Sequence, residues 1–245
     1  MAERLDRLLV SRGLAATRAR ARDAVLRGTV RVGGAVVTKP GLAVGGDAAL
    51  LMDDPASPYV SRAALKLVAG LEAFATDPAG LHALDVGAST GGFTQVLLER
   101  GAARVTAIDV GHGQLAPALA ADPRVRVIEG LNARDMTAGH LDGAPDLVVA
   151  DVSFISLRLA LPPALGLASR GARCVLLVKP QFEAGREAIG KGGLVAPAVA
   201  ERVAHGLRDW LDDLPGWRAE GLAPSPIEGG DGNREWLLGG SRVEP

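Results

Sequence analysis

Lysine is scarce in this chain: Lys39, Lys66, Lys179 and Lys191 are the whole set, against 23 arginines. A guanidinium stays protonated at any usable pH, whereas a lysine can give up its proton, so a lysine kept in an arginine-rich chain marks a place where that property is wanted. Lys179 ends the apolar run Val175-Leu176-Leu177-Val178, and Asp151 ends another, Asp146 to Ala150. A buried strand of a parallel sheet delivers the residue after it to the edge where α/β proteins hold ligands. A lysine and a carboxylate there could take the proton from a weak nucleophile and orient it. Each also has an ordinary reading, a strand-end lysine reaching solvent and a helix-start carboxylate. Lys66, in the helical stretch Ser61 to Leu71, is unremarked on its own.

A second constellation is Asp85-Val86-Gly87-Ala88-Ser89-Thr90-Gly91-Gly92-Phe93, which follows an apolar strand and opens a helix. Glycines let the backbone approach a ligand closely, and a helix N-terminus adds N–H donors and positive potential. Nucleotide-binding sheets of many kinds share such a loop. A dinucleotide site prefers G-x-G-x-x-G, because the pyrophosphate packs against the second glycine. Ser89 stands in that place. Asp109, ending the next strand, is placed to accept both hydroxyls of a ribose, and is otherwise a helix-capping aspartate. A carboxylate beside the loop, Asp85, suits a ligand with a cationic amino-acid end better than a pyrophosphate. The balance favours the methyl donor S-adenosylmethionine, with NAD as the alternative. The expected cofactor set is Asp85, Gly87, Ser89, Gly91, Phe93, Asp109, Asn132 and Asp151.

These groups need a parallel sheet to hold them. From Tyr59 onward apolar strands alternate with amphipathic helices, with strands expected at Leu81 to Val86, Arg104 to Ile108, Val125 to Ile128, Asp146 to Ala150 and Ala172 to Val178. That is the pattern of an α/β fold with a Rossmann-like parallel sheet. The tail adds segments at Trp217 to Leu222 and Glu235 to Leu238 around the turn-rich Pro224 to Asn233. Upstream, Leu5, Leu8 and Leu9 recur at helical spacing with Gly13 as a stop, and Thr17 can cap a second helix running to about Leu26. Val30 to Val32, Gly33-Gly34 and Val36 read as a hairpin, the two glycines supplying the positive φ of a type I′ turn. The chain is thus predicted to carry a helix-helix-hairpin α+β module over residues 1–58 and a larger domain over 59–245. The polar, proline-rich Asp53 to Pro58 joins them.

Charge separates the two segments as well. Residues 1–40 hold nine Arg or Lys against Glu3, Asp6 and Asp23, a net +6 in a chain of net −1. A basic module on an acidic body suits a nucleic-acid partner, and Arg4, Arg18, Arg20 and Arg22 are the expected phosphate contacts. A solvated helix face accounts for the charge equally well. With 48% hydrophobic and 22% charged residues the composition is that of a globular protein. No stretch has the length of a signal-peptide core or a membrane span, so a soluble cytoplasmic protein is expected. A single cysteine, Cys174, allows neither an internal disulfide nor a Cys-based zinc site; no metal is expected, and Cys174 reads as a small core residue.

Val60-Ser61-Arg62 with Lys66, Asp85 to Phe93, the A-D-V-S-F-I-S run from Ala150 to Ser156, and the V-K-P-Q-F-E run from Val178 to Glu183 together resemble the hemolysin A, or TlyA, family. These are ribosomal RNA 2′-O-methyltransferases whose catalytic domain is similar to that of the FtsJ methyltransferases. The resemblance spans nearly the whole chain. Its N-terminal part looks like the small RNA-binding module first seen in a ribosomal protein of the small subunit. It implies a class I methyltransferase fold, S-adenosylmethionine as cofactor, and ribosomal RNA or ribosomal subunits as partner. It also implies a catalytic Lys-Asp-Lys-Glu tetrad, falling on Lys66, Asp151, Lys179 and Glu235, with Glu228 as a nearby alternative to the last. Ala63-Ala64 stands where the family often has glycine, and His112 where an aromatic residue is frequent. The family has a longer form acting on both ribosomal subunits and a shorter one acting on the large subunit. The short lead before Leu5 resembles the shorter form, which implies a cytidine of large-subunit RNA as target, with small-subunit RNA also open. The family name records a hemolytic phenotype, for which no membrane-spanning or basic amphipathic segment is evident. Two other classes stay open, an inert RNA-binding or ribosome-assembly protein and a dinucleotide-dependent oxidoreductase.

Overall fold

The computed structural model describes residues 2–243; Met1 and the last two residues of the expected 59–245 domain, Glu244 and Pro245, lie outside them. The described chain divides between Pro58 and Tyr59 into two compact units. The first holds β1 (Ala2–Arg4), α1 (Leu5–Ser11), α2 (Arg18–Leu26), β2 (Val30–Val32), β3 (Ala35–Val36), β4 (Ala43–Gly45) and β5 (Leu50–Met52). Helix α2 begins where the Thr17 hydroxyl accepts the Arg20 backbone N–H, the cap its sequence predicts. Gly33 (φ 57°) and Gly34 (φ 86°) close the β2–β3 hairpin in the left-handed region that favours glycine. The hairpin is part of a three-stranded antiparallel sheet, β3-β2-β5, and β1 pairs with β4. Strands β4 and β5, three residues each, are too short to show a period in the sequence. Leu5, Leu8, Leu9, Ala24, Val25 and Val30 fill the core between helices and sheet.

The second unit runs α3 (Ala64–Ala73), β6 (His82–Val86), α4 (Gly92–Glu99), β7 (Arg104–Asp109), α5 (Pro117–Ala120), β8 (Val125–Glu129), β9 (Leu147–Ala150), α6 (Leu157–Ala160), α7 (Pro162–Leu167), β10 (Arg173–Val178), α8 (Pro180–Glu183), α9 (Pro197–Asp212), β11 (Trp217–Pro224) and β12 (Trp236–Arg242). The five expected parallel strands all form, each within one residue of its expected bounds. They lie in one seven-stranded sheet of order β11-β12-β10-β9-β6-β7-β8, with β12 antiparallel to both neighbours. This is a Rossmann-like sheet, parallel from β10 to β8, as expected.

Alternation along the strands sorts side chains onto two faces. Leu84, Val86, Val148, Ala150, Leu176 and Val178 pack in the cluster that takes Leu157, Leu161 and Leu165 from α6 and α7 and Leu207 and Leu211 from α9. Ala83, Leu147, Val149 and Val175 face the other way, against Leu67 and Leu71 of α3 and Val96 and Leu97 of α4. Both faces of the sheet are covered, which is why its strands read as continuous apolar runs. The chain leaves β6 toward β7 and β8 and then returns to the other side for β9 and β10. The order therefore reverses between β6 and β9, and the loops after these two strands part to leave a crevice. No helix among the described residues is long and apolar enough to cross a membrane.

Candidate active site

A cavity of about 850 Å³ opens at this switch point, walled by Ile108, Val110, Leu131 and Ile155 and floored by Gly87 and Asp151. Gly87 has φ 83°, and a Cβ on it would stand 2.6 Å from the Asp151 carbonyl oxygen, so only glycine lets the two loops meet here. Asp109 leaves β7 at the crevice: its Oδ2 accepts the Ser89 N–H at 2.8 Å and its Oδ1 the Gly111 N–H at 2.8 Å. Those donors fix the carboxylate while each oxygen keeps a lone pair for a further hydroxyl. Asn132 lines the crevice too, its Oδ1 accepting the Arg134 N–H at 3.1 Å. Gln114, which the sequence analysis did not single out, also lines it and accepts a hydrogen bond from the Ser89 hydroxyl at 3.2 Å.

Three residues expected at the cofactor do not line this crevice. Gly91 forms the N-cap of α4. Phe93 is buried among Leu67, Leu71 and Leu97 and borders only a smaller recess shared with Ser61 and Lys179. Asp85 is the clear departure, because it alternates with Leu84 and Val86 and so points toward α4, where it is fully buried. Its Oδ2 accepts the Thr94 hydroxyl at 2.6 Å, and its Oδ1 has no hydrogen-bond partner. Burial pushes the carboxyl up to about 7 against the pull of Thr94, and the nearby Asp151 charge adds to the rise. Asp85 thus anchors the first turn of the helix behind the glycine loop.

The four tetrad residues come together at the same sheet edge. Parallel register pairs Leu176 with Ala150, so Asp151 and Lys179 leave neighbouring strands. Antiparallel register pairs Val178 with Trp236, which sets Glu235 beside the exit of Lys179. Lys66 enters from the first turn of α3 and donates to the Glu235 carboxylate. Lys179 Nζ lies 2.6 Å from Asp151 Oδ1, a charge pairing whose angle leaves that oxygen without a directed hydrogen bond. The same ammonium donates to the Ser153 hydroxyl at 2.8 Å. Side-chain exposure is 6% and 2% for Lys66 and Glu235 but 12% and 16% for Lys179 and Asp151, so the second pair is the more open: Asp151 lines both the crevice and the smaller recess, and Lys179 lines the recess. Burial pushes the Glu235 carboxyl up while Lys66 and Lys179 pull it down. Glu228 is exposed, so the buried partner of Lys66 is Glu235. Ser153 was the residue missed here, although it lies in the A-D-V-S-F-I-S run two positions after Asp151. Phe154, 90% exposed, meets Phe182 at 5.1 Å between ring centres on the crevice rim.

The N-terminal arginines are less uniform than their sequence suggests. Arg4 and Arg18 both bind the buried Asp6, whose carboxyl the Arg4 guanidinium holds down at about 2 with help from Arg18. Arg20 donates to the carbonyls of Ala56 and Ser57 at 2.9 and 3.1 Å, so it is committed to the end of the module and is not a free phosphate ligand. Arg22 is exposed and has no ion-pair partner among the described residues. Cys174 is buried, and burial pushes its thiol up. Among the described residues no cluster of His, Cys, Asp and Glu is arranged to hold a metal ion.

Comparison with known proteins bears on both units. The FtsJ-like methyltransferase family matches residues 59–242, and the S4 domain family matches residues 3–49. The chain is 49% identical over 237 residues to the 16S/23S rRNA (cytidine-2′-O)-methyltransferase TlyA of Mycobacterium tuberculosis, covering 96% of this chain and 88% of that one. It is 37% identical to Hemolysin A of Brachyspira hyodysenteriae over 96% of this chain and 98% of that one. A solved Streptococcus thermophilus structure carrying the hemolysin name aligns with a TM-score of 0.76 and 40% identity, over 99% of this chain and 89% of that one.

Proposed function

We propose that this chain, which belongs to the hemolysin A (TlyA) family and joins an S4 domain to an FtsJ-like methyltransferase domain, methylates a ribose 2′-hydroxyl of ribosomal RNA from S-adenosylmethionine. The observation that carries this reading is the meeting of Lys66, Asp151, Lys179 and Glu235 at the crevice that Gly87 and Asp109 border. The crevice fits the cofactor on its own terms. Asp109 offers two fixed acceptors for a ribose diol, Ile108, Val110, Leu131 and Ile155 offer apolar walls for a flat base, and Gly87 admits backbone contact. When bound there, the cofactor supplies an electrophilic methyl group on a sulfonium.

The chain's own contribution begins with orientation, the largest requirement of an in-line displacement. Lys179 holds Ser153 at 2.8 Å, and a ribose 2′-oxygen entering from the rim can take the place of that hydroxyl as the partner of Nζ. An oxygen held there would face the methyl group that the bound cofactor would supply. Lys179 acts as the base once its ammonium has given a proton to solvent; Nζ then takes the hydroxyl proton. Asp151 orients Nζ, while Lys66 and Glu235, buried behind, fix the charge balance of the pocket. The exposed Phe154 ring beside Phe182 gives the base of the target nucleotide a flat surface to lie against. Arg22 and its basic surroundings on the S4 unit supply phosphate contacts. The target we assign is a cytidine of large-subunit RNA, and a ribosomal RNA substrate places the protein in the cytoplasm.

Mapping of 2′-O-methylated nucleotides in ribosomal RNA with and without the protein tests this reading. Methyl incorporation at a cytidine ribose of large-subunit RNA is expected. Absence of incorporation would favour an inert assembly factor, and binding of NAD with no response to S-adenosylmethionine would favour an oxidoreductase.

A further inference from the structure

Glu183 has no part in the chemistry above, yet it ties together the two segments that perform it. The segment after β9 carries Asp151, Ser153 and Phe154; the segment after β10 carries Lys179 and Phe182. At the end of α8 the half-buried Glu183 carboxylate spans them: Oε2 accepts the Ser156 hydroxyl at 2.6 Å and Oε1 accepts the Leu157 N–H at 2.7 Å. Ser156 in turn caps α6, its Oγ accepting the Arg158 N–H at 3.2 Å. Hydrogen bonds to an ionised acceptor are about twice as strong as neutral ones, which makes this pair a strong link between the segments.

Two observations show what the link restrains. Phe154 lies at φ 65°, a left-handed conformation that a bulky residue keeps only when its surroundings hold it. It sits inside the loop bounded by Asp151 and by the Ser156 anchor, with its ring against Phe182. The ion pair of Lys179 with Asp151 and the bond from Lys179 to Ser153 cross between the same two segments, nearer the sheet. The segments are therefore joined at the catalytic end by Lys179 and at the far end by Glu183. A substrate hydroxyl that takes Ser153's place at Nζ removes one of the two near contacts, and the spacing then rests on the Lys179–Asp151 pair and on the far clasp.

We propose that Glu183 is a positioning residue. By clasping Ser156 and Leu157 it fixes the loop of Asp151 against the segment of Lys179 on the acceptor side of the site, while the donor side around Asp109 is built without it. Burial pushes the Glu183 carboxyl up, with Ser156 and Leu157 pulling against the rise. This inference rests on the methyltransferase reading.

The test uses full-length wild type, Glu183→Gln, Ser156→Ala and the double variant, with thermal midpoint, S-adenosylmethionine affinity, and kcat and KM on ribosomal RNA measured for each. The amide of Glu183→Gln keeps the shape but offers one acceptor to two donors. We expect kcat to fall by about ten- to a hundredfold, the scale of an ångström-sized misplacement. Cofactor affinity should stay within about twofold and the thermal midpoint should move little. Ser156→Ala, the milder change, should lower kcat in the same direction, and the double variant should be no worse than Glu183→Gln alone, because both remove one link. Unchanged kcat, or a parallel fall of kcat, cofactor affinity and thermal midpoint, overturns the positioning role. Wild-type methylation of the RNA separates the two levels: its absence overturns the parent reading, whereas an active wild type with unaffected variants overturns the clasp alone.

Discussion

Asp85 makes the stability of the cofactor-free protein depend on pH in a way that one substitution isolates. Its carboxyl is fully buried, one oxygen has no partner, and burial holds it up at about 7. In the unfolded chain an aspartate titrates near 4. The folded state therefore binds this proton more tightly than the unfolded state does. Its stabilising contribution is complete below about pH 4, declines as pH rises, and is lost once pH passes about 7. At about 1.4 kcal/mol per tenfold change the whole span is worth up to about 4 kcal/mol, of which about 2–3 kcal/mol falls between pH 5 and pH 8. Asp85→Asn imitates the neutral acid and can keep the Thr94 hydrogen bond, so it removes this titration and little else. Urea unfolding of both proteins at pH 5, 6, 7 and 8 checks it. The variant should exceed the wild type by about 1–2 kcal/mol at pH 5 and by about 4 kcal/mol at pH 8, the gap widening by about 2–3 kcal/mol, with equal slopes on denaturant. A stability difference that stays constant across that range would refute the argument, since it would mean that folded Asp85 is ionised throughout.

Three further outcomes follow from the site. Asp109→Ala should weaken S-adenosylmethionine binding by at least about tenfold in calorimetry, the scale of losing hydrogen bonds to a charged acceptor, and unaltered affinity would remove Asp109 from the ribose. Lys179→Arg should bind cofactor and RNA but transfer methyl about a hundredfold more slowly in single-turnover assays, as loss of a general base requires; near-normal turnover would make the lysine a fixed charge instead, and methylation of a substrate with deoxyribose at the target would move the acceptor to the base. Arg22→Ala should lower the slope of log affinity for RNA against log salt by about one, while Arg20→Ala should leave that slope unchanged because its guanidinium is spent on Ala56 and Ser57; the reverse ranking would refute the assignment of these two arginines.

What the sequence revealed of the site depends on where each side chain gets its direction. Asp109, Asp151 and Lys179 were legible because a strand buried on both faces can only release its next residue at the sheet edge. Asp85 lies inside such a strand, so alternation decides its direction, and Leu84 and Val86 on the opposite face already assign it to the α4 side. Nearness to the glycine loop in sequence was the weaker guide. Arg18, Arg20 and Arg22 share one helix and one composition, but Asp6 and the carbonyls of residues 56 and 57 decide which of them is free, and those partners are set by tertiary folding. Strand β12 runs on through Gly239 and Gly240, beyond the expected end at Leu238, although glycine disfavours strand. Packing overrides the propensity there, since a Cβ on Gly239 would stand 2.4 Å from the Phe74 ring.

Glu235 is the case in which neighbours in sequence carry least and pairing carries most. Glu228 is as close to the glycine-rich turn and as acidic, and nothing in the linear chain separates the two. The ladder separates them, because the pairing of Val178 with Trp236 carries Glu235 to the end of β10 where Lys179 emerges. A slip of one residue would turn every side chain of β12 to the other face and take Leu237 and Leu238 out of their packing, so the apolar side chains that hold the register also hold the carboxylate in place. The tetrad is thus secured by residues that never touch substrate. Lys66 and Glu235 are more deeply buried than Lys179 and Asp151, so the packed ladder holds the first pair in place while the second stays open to a reacting group.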